Sequence, residues 1–342
     1  MKAIRLEEPG RLALLSIEGP PVAASIQPDE ALVRVRRIGI CGTDLHAFKG
    51  NQPFFNYPRI LGHELGVEVV AVGGSTGNVK PGDRCSVEPY LNCGRCIACR
   101  RGKPNCCVTL QVLGVHTDGG MREAFIVPSR KLHPSERLTL DQLALVETLG
   151  IGCHAVDRAR VEAGEFTLVI GAGPIGLAVM QFAIEAGAQA IVLDINPKRL
   201  EFCREQLGVP HVINAAREDP LEALRQITSG DLPTVVFDAT GNPQSMRGAF
   251  DYPAHGGRLV FVGLFPGEVT FNDPNFHRRE LTLLASRNAR PEDFTRIISL
   301  VENGRIDTVP WITHRASFAD AVTEFPRWTQ PETGVIKAMV EA

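Results

Sequence analysis

The run Phe166-Thr167-Leu168-Val169-Ile170-Gly171-Ala172-Gly173-Pro174-Ile175-Gly176 narrows the possible folds more than any other part of the chain. A β-prone apolar stretch enters a G-x-G-x-x-G turn, and a helical run follows from Leu177 to Glu185. Gly171 permits the tight turn, Gly173 lets the backbone approach a pyrophosphate, and Gly176 lets helix and strand pack closely. The helix start offers free N–H groups to phosphates. Ala190–Leu193 reads as the next strand and ends in Asp194, 18 residues after Gly176. An acid about 20 residues on suits a ribose 2′-hydroxyl. It would repel a 2′-phosphate, which favours NAD over NADP. Arg199, in the following turn with Lys198, lies where it could run along an adenine.

The same pattern repeats downstream. Thr234–Asp238, Arg258–Val262 and Leu281–Ala285 read as buried strands separated by helical segments, as in a parallel doubly wound sheet. The first 150 residues differ. Short β-prone segments such as Ala31–Ile38 and Val67–Val72 are broken by Gly, Pro and Asp, which reads as a barrel-like β domain. A length of 342 residues allows two domains. Phe166–Ile184 carries no charge, but its glycines and its change from β-branched residues to Ala, Met and Gln fit strand, turn and helix better than a membrane span. With 36 basic and 39 acidic residues, no basic excess points to nucleic acid or anionic lipid. The N-terminus has no apolar signal region, so a cytoplasmic protein with no membrane partner is expected.

The nine cysteines are not scattered at random. Cys93, Cys96, Cys99 and Cys107 form C-x2-C-x2-C-x7-C, with Gly94 and Gly102 available for turns. Four thiolates so spaced suit a closed tetrahedral zinc site stapling the lobe 87–108, which has little apolar core of its own. Cys106 competes with Cys107 for the fourth position, and spacing prefers Cys107.

A closed thiolate site performs no chemistry. A second constellation stands upstream, with Cys41 in Gly39-Ile40-Cys41-Gly42-Thr43-Asp44-Leu45-His46 and the pair His63-Glu64 flanked by Gly62 and Gly66. Zinc accepts all three ligand types. Glu147 sits in the apolar stretch Leu145–Leu149, where a carboxylate is costly unless paired or near a metal. A helix-surface glutamate is the plainer alternative.

Taken together, the order of the Cys41 motif, Gly62-His63-Glu64, the four-cysteine lobe, Glu147 and the glycine fingerprint resembles the zinc-dependent medium-chain dehydrogenases over essentially the whole chain. It looks most similar to the sorbitol, threonine and aldonate dehydrogenase branch. Asn51–Leu61 and Leu283–Ala289 resemble bacterial L-galactonate and L-idonate 5-dehydrogenase-like members.

The resemblance implies an α/β architecture. A GroES-like β-barrel catalytic domain would span 1–150 and 289–342, and a Rossmann domain 151–288. It implies two zinc ions per chain and NAD. Cys41, His63 and Glu64 would hold the catalytic zinc, with Glu147 acting directly or through water. Cys93, Cys96, Cys99 and Cys107 would hold the structural zinc. Thr43 would take the hydroxyl proton and pass it outward to His46, with hydride going to the nicotinamide. Asp44 would brace the loop or a zinc-bound histidine. Cofactor contacts would come from Gly171, Gly173, Pro174, Ile175, Gly176, Asp194, Arg199, Thr240, Val262, Gly263, Leu264, Arg287 and Asn288.

The expected substrate is a small polyol or sugar acid, with an aldonate of the L-galactonate or L-idonate type favoured by the resemblance. Phe54, Phe55 and Tyr57 would either cap a pocket or belong to local core. Arg59 and Arg287 would either anchor a carboxylate or pair within the protein. Threonine oxidation, neutral polyol oxidation and a non-catalytic NAD-binding redox sensor are the alternatives. A zinc-free quinone or enone reductase is disfavoured by the cysteine lobe and the upstream ligand set. A homotetramer or homodimer is expected from the resemblance.

Overall fold

The computed structural model describes residues 1–20, 26–53, 55–74 and 77–342. The chain divides into two compact units, Met1–Thr148 with Ala289–Ala342, and Leu149–Asn288.

The first unit begins with β1 (Lys2–Glu8), β2 (Arg11–Ser16), β3 (Glu30–Ile40), α1 (Gly42–Phe48), β4 (Arg59–Ile60), β5 (Glu64–Val72) and β6 (Arg84–Val87). The cysteine lobe follows, with β7 (Tyr90–Leu91), α2 (Ile97–Arg100) and β8 (Gln111–Val112). Next come β9 (Ala124–Pro128), β10 (Leu132–Pro134) and α3 (Leu140–Ala159), and the unit boundary falls inside α3. Strand β3 has three partners. It pairs antiparallel with β5, with β9 along its first half, and with the chain's last strand along its second half. Changing partners along one strand, with register shifts between Leu32 and Val33 and between Val35 and Arg37, bends the sheet toward a barrel. Alternate β3 and β5 residues, Ala31, Val33 and Val35 with Leu65, Val67 and Val69, point into the core with Phe125, Phe325 and Trp328.

The second unit runs β11 (Phe166–Ile170), α4 (Pro174–Glu185), β12 (Gln189–Asp194), α5 (Pro197–Leu207), β13 (His211–Asn214), α6 (Pro220–Ile227), β14 (Val235–Asp238), α7 (Pro243–Gly248), β15 (Arg258–Phe261), α8 (Asp273–Arg278) and β16 (Thr282–Ala285). Its sheet has the order β13-β12-β11-β14-β15-β16, and every pairing is parallel. This is a doubly wound order whose direction reverses at β11, where ligands bind beyond the strand ends. Helix α4 begins at Pro174, three residues earlier than the hydrophobic run indicates, because proline at the first helical position needs no partner for its missing N–H. Strand β13 escaped the sequence reading. Four residues beginning with a histidine carry too little apolar signal.

The chain then returns to the first unit with α9 (Pro291–Glu302), β17 (Ile312–Ser317), α10 (Ala321–Trp328) and β18 (Lys337–Glu341). Strand β18 is parallel to β17 and antiparallel to β3, with Ala338 opposite Ile40. Among the described residues, no helix is long and apolar enough to cross a membrane.

Candidate functional site

The metal-ligand candidates are gathered by the β3–β5 ladder. Gly39 lies opposite Glu64, so Cys41, two residues past Gly39, emerges beside His63 and Glu64. Ligand atoms of Cys41, His63 and Glu64 lie within 4.8 Å of one another. A Cβ on Gly39 would stand 2.2 Å from Glu64 Oε2, so only glycine leaves room for the carboxylate there. Cys41 caps α1, and its N–H donates to Asp44 Oδ2 at 2.9 Å. The other Asp44 oxygen faces His63 Nδ1 at 3.7 Å, and neither atom has a hydrogen-bond partner. At that distance the contact is electrostatic rather than a hydrogen bond.

The charges around this group are buried. From β18, Lys337 Nζ donates to Glu64 Oε1 at 2.6 Å and Oε2 at 2.7 Å, and also to Ile40 O and Thr148 Oγ1. From α3, Glu147 is 4% exposed and accepts the Tyr90 hydroxyl hydrogen at 2.5 Å. Burial lifts the Glu147 and Asp44 carboxyls above the usual carboxylate range, although His63 pulls both down. Burial opposes the His63 imidazolium, yet Asp44 and Cys41 hold its pKa well above the ordinary value. Three buried carboxylates and a thiol thus face one buried lysine and one histidine. That excess of negative donors, with a buried imidazole, fits a divalent cation.

The lobe shows the second metal geometry. Cys93, Cys96, Cys99 and Cys107 converge within 4.8 Å, whereas Cys106 is exposed and outside the group. The Cys93 N–H donates to Cys107 Sγ at 3.3 Å, and the Cys96 and Cys99 sulfurs are 3.5 Å apart. Backbone N–H groups of Arg95 and Cys96 lower the Cys93 thiol to about 6, which favours the thiolate a metal needs. Burial instead pushes Cys85 and Cys203 up to about 12, and both remain inert core thiols.

In the second unit, the residues expected to contact a dinucleotide lie at the C-terminal ends of β11, β12, β14 and β15. A Cβ on Gly176 would fall 1.8 Å from Gly171 O, so the helix and turn close only over glycine. Asp194 accepts the Ala172 N–H at 2.7 Å and the Asn196 N–H at 2.8 Å, which ties the acid to the glycine loop. Arg199 Nη1 passes 3.5 Å from the place a Gly173 Cβ would occupy. Pro174 and Ile175 open α4. Thr240 donates its N–H and its hydroxyl to Asp238 Oδ1, at 2.9 and 2.7 Å, and Ser245 donates to Oδ2 at 2.5 Å. The N–H groups of Val262 and Gly263 donate to Asp238 O at 2.9 and 3.0 Å. Asp238 therefore holds the Thr240 and Val262–Leu264 loops together. Its strand-end position was visible in the sequence, but its role was not. Leu264 and Arg287 are exposed, and Asn288 adopts a positive φ of 54°.

Thr43 and His46 share one face of α1, three residues apart, with Thr43 half-buried and His46 exposed. Phe55 packs against the first unit's core and meets Tyr57 edge-on at 4.8 Å, and Tyr57 donates to Ala47 O at 2.5 Å. Both rings are partly buried against that core. Phe54 lies outside the described residues. Arg59 Nη1 donates to Asp118 Oδ1 at 3.3 Å, while its buried Nε has no partner. Lys337 and Tyr90 are the residues that sequence reasoning missed. No spacing rule links the last strand, or a tyrosine three residues before Cys93, to the Cys41 group.

Residues 27–137 match the family model of the alcohol dehydrogenase GroES-like domain, and residues 174–303 that of the zinc-binding dehydrogenases. The chain is 42% identical to an L-galactonate-5-dehydrogenase of Escherichia coli K12, across 91% of this chain and 92% of that protein. It is 34% identical to a sorbitol dehydrogenase of Bacillus subtilis 168, across 95% and 94%. An alcohol dehydrogenase of Escherichia coli CFT073, solved with NADH, superposes with a TM-score of 0.91 at 29% identity, over 100% of this chain and 99% of that one. The chain belongs to the zinc-dependent alcohol dehydrogenase family. It is an NAD- and zinc-dependent oxidoreductase, built from a GroES-like barrel and a Rossmann sheet.

Proposed function

We propose that this chain oxidises a secondary alcohol of a sugar acid, of the L-galactonate or L-idonate type, with NAD as hydride acceptor. One observation carries the reading. A candidate metal group of Cys41, His63 and Glu64 occurs in a chain 42% identical to an L-galactonate-5-dehydrogenase.

Cys41, His63 and Glu64 would hold the catalytic zinc, with Glu147 acting directly or through water, and Cys93, Cys96, Cys99 and Cys107 would hold the structural zinc. When bound, the catalytic zinc supplies Lewis acidity to the carbinol oxygen, and the nicotinamide supplies the hydride acceptor. Thr43 Oγ1 would accept the carbinol proton while its own passes to the cofactor ribose and on toward His46. His46, exposed three residues along α1, delivers it to solvent. Asp44, with Oδ1 3.7 Å from His63 Nδ1, would steady the imidazole electrostatically. Gly171, Gly173, Pro174, Ile175 and Gly176 cradle the pyrophosphate. Asp194 and Arg199 grip the adenosine half. Thr240, Val262, Gly263, Leu264, Arg287 and Asn288 border the nicotinamide half. Asp194 favours NAD, because its carboxylate repels a 2′-phosphate.

A neutral polyol is the second reading, and one observation favours it. Arg59, a candidate carboxylate anchor, already pairs with Asp118. Under the first reading Arg59 or Arg287 takes the substrate carboxylate. The chain would work in the cytoplasm as a homodimer or homotetramer. Strand β16 is an edge of its sheet with Leu283 exposed, a surface suited to a second copy.

The deciding experiment follows NADH formation by the zinc-loaded protein over the aldonates of galactose, idose and gulose, hexitols, pentitols, L-threonine and simple alcohols, with NADP in parallel. Highest kcat/KM on one aldonate with NAD supports the proposal. Turnover confined to neutral polyols moves the assignment to the second reading. Binding of NADH with no turnover of any alcohol overturns both.

A further inference from the structure

Tyr90 connects the two metal sites. It lies on β7, which pairs with β8 through Tyr90–Val112 and Leu91–Gln111, so the pair forms the stem of the four-cysteine lobe, three residues before Cys93. Its ring is 2% exposed. The ring meets Phe294 edge-on at 6.4 Å, and Phe294 stacks on His133 at 4.8 Å. His133 in turn lies 3.4 Å from Glu88, which forms a buried ion pair with Lys131. A ring clamped in this way has little freedom. Its hydroxyl donates to Glu147 Oε1 at 2.5 Å.

We propose that Tyr90 is a positioning residue for the catalytic metal site: its hydroxyl bond to Oε1 fixes the orientation of the Glu147 carboxylate and ties that orientation to the cysteine lobe. The proposal rests on the reading of Cys41 and His63 as zinc ligands. Without the phenol the Glu147 carboxylate can rotate, and the coordination it offers the metal changes. Nothing in the substrate reading depends on this contact.

The test uses the holoenzyme with cobalt(II) exchanged into the catalytic site, verified by equal cobalt and zinc content. The visible absorption of cobalt reports its coordination. In Tyr90→Phe the spectrum shifts and weakens, and kcat falls about 10- to 100-fold, as for other groups that support metal ligands, while KM for NAD is unchanged. The double variant Tyr90→Phe/Glu147→Gln shows the spectrum of Glu147→Gln alone, because both changes act through one carboxylate. Phe294→Leu, which loosens the ring without touching the hydroxyl, shifts the spectrum in the same direction by less. A Tyr90→Phe spectrum superimposable on that of the unaltered enzyme overturns the proposal. So does a double variant that retains the full Tyr90→Phe shift. An unaltered chain that takes up no cobalt at Cys41 and His63 overturns the zinc reading itself, and this inference with it.

Discussion

Lys337 Nζ stands 2.6 and 2.7 Å from the two oxygens of Glu64, with both side chains 1% exposed. The pair joins the last strand of the chain to the first residue of β5. Burial pushes both groups toward neutrality, yet their mutual attraction keeps the lysine pKa raised and the glutamate lowered. A buried pair adds little compared with an apolar replacement, but removing one partner is costly. Lys337→Met is therefore expected to destabilise the first unit by about 3–5 kcal/mol. Glu64→Gln/Lys337→Met should lose less than Lys337→Met alone. Urea unfolding of the three proteins checks this, and equal losses for the single and double variants would count against it. Gly39→Ala should lower stability in the same assay, because its methyl would collide with Glu64 Oε2.

The two cysteines at the end of the lobe should behave differently. Cys107 Sγ accepts from Cys93 N–H and joins the four-sulfur group, while Cys106 points outward. Cys107→Ser should release one zinc equivalent and lower the melting temperature. Cys106→Ser should do neither. Metal content by mass spectrometry and a thermal melt decide it, and the reverse pattern would reassign the fourth ligand.

The parts read most easily from the sequence were those governed by local rules. The glycine turn, the strand ending in Asp194 and the cysteine spacing each depend on residues within about 20 positions, where sterics and chain reach fix the outcome. The grouping of Cys41 with His63 and Glu64 was legible because each motif carries its ligand at a strand end. The partners brought in from far away were not legible. Lys337 reaches Glu64 only because β18 pairs with β3, and Tyr90 reaches Glu147 only because α3 lies against the lobe stem. For Arg59 and Phe55 the sequence left two roles open. Phe55, partly buried, packs against the core and Arg59 pairs with Asp118. Aromatic and paired basic residues are common beside any site, so proximity in sequence distinguishes little.

Cofactor choice should follow Asp194. Its two oxygens already accept from Ala172 and Asn196, and a carboxylate offers about four acceptor positions, which leaves room for ribose hydroxyls. Hydrogen bonds to charged groups contribute about 1.5–3 kcal/mol each. Asp194→Ala should therefore lower kcat/KM for NAD by about 10- to 100-fold. The same change removes the repulsion of a 2′-phosphate, so kcat/KM for NADP should fall less or rise, with Arg199 beside Gly173 available to it. Parallel steady-state kinetics with both cofactors give the ratio. An unchanged ratio would show that Asp194 plays no part in the choice.

Acid sensitivity of the first unit should depend in part on Asp141. This residue, on α3, accepts from Arg37 Nε at 2.8 Å and Arg315 Nη2 at 2.6 Å. Burial alone would raise its carboxyl, but hydrogen bonds and charge from Arg315 and Arg37 together outweigh burial and hold the pKa below the ordinary value. A group whose folded pKa is depressed stabilises the fold fully above its unfolded pKa, about 3.9, and ceases to do so as pH falls through the folded value. The groups are part-exposed, so the stabilisation is about 1 kcal/mol and weakens with salt. Asp141→Asn should therefore melt below the unaltered protein by a constant margin from about pH 5 to 8. That margin should close below about pH 4. Thermal melts of both proteins across this range, at low and high salt, provide the test. A margin that widens on acidification would mean that Asp141 is held by something other than its two arginines.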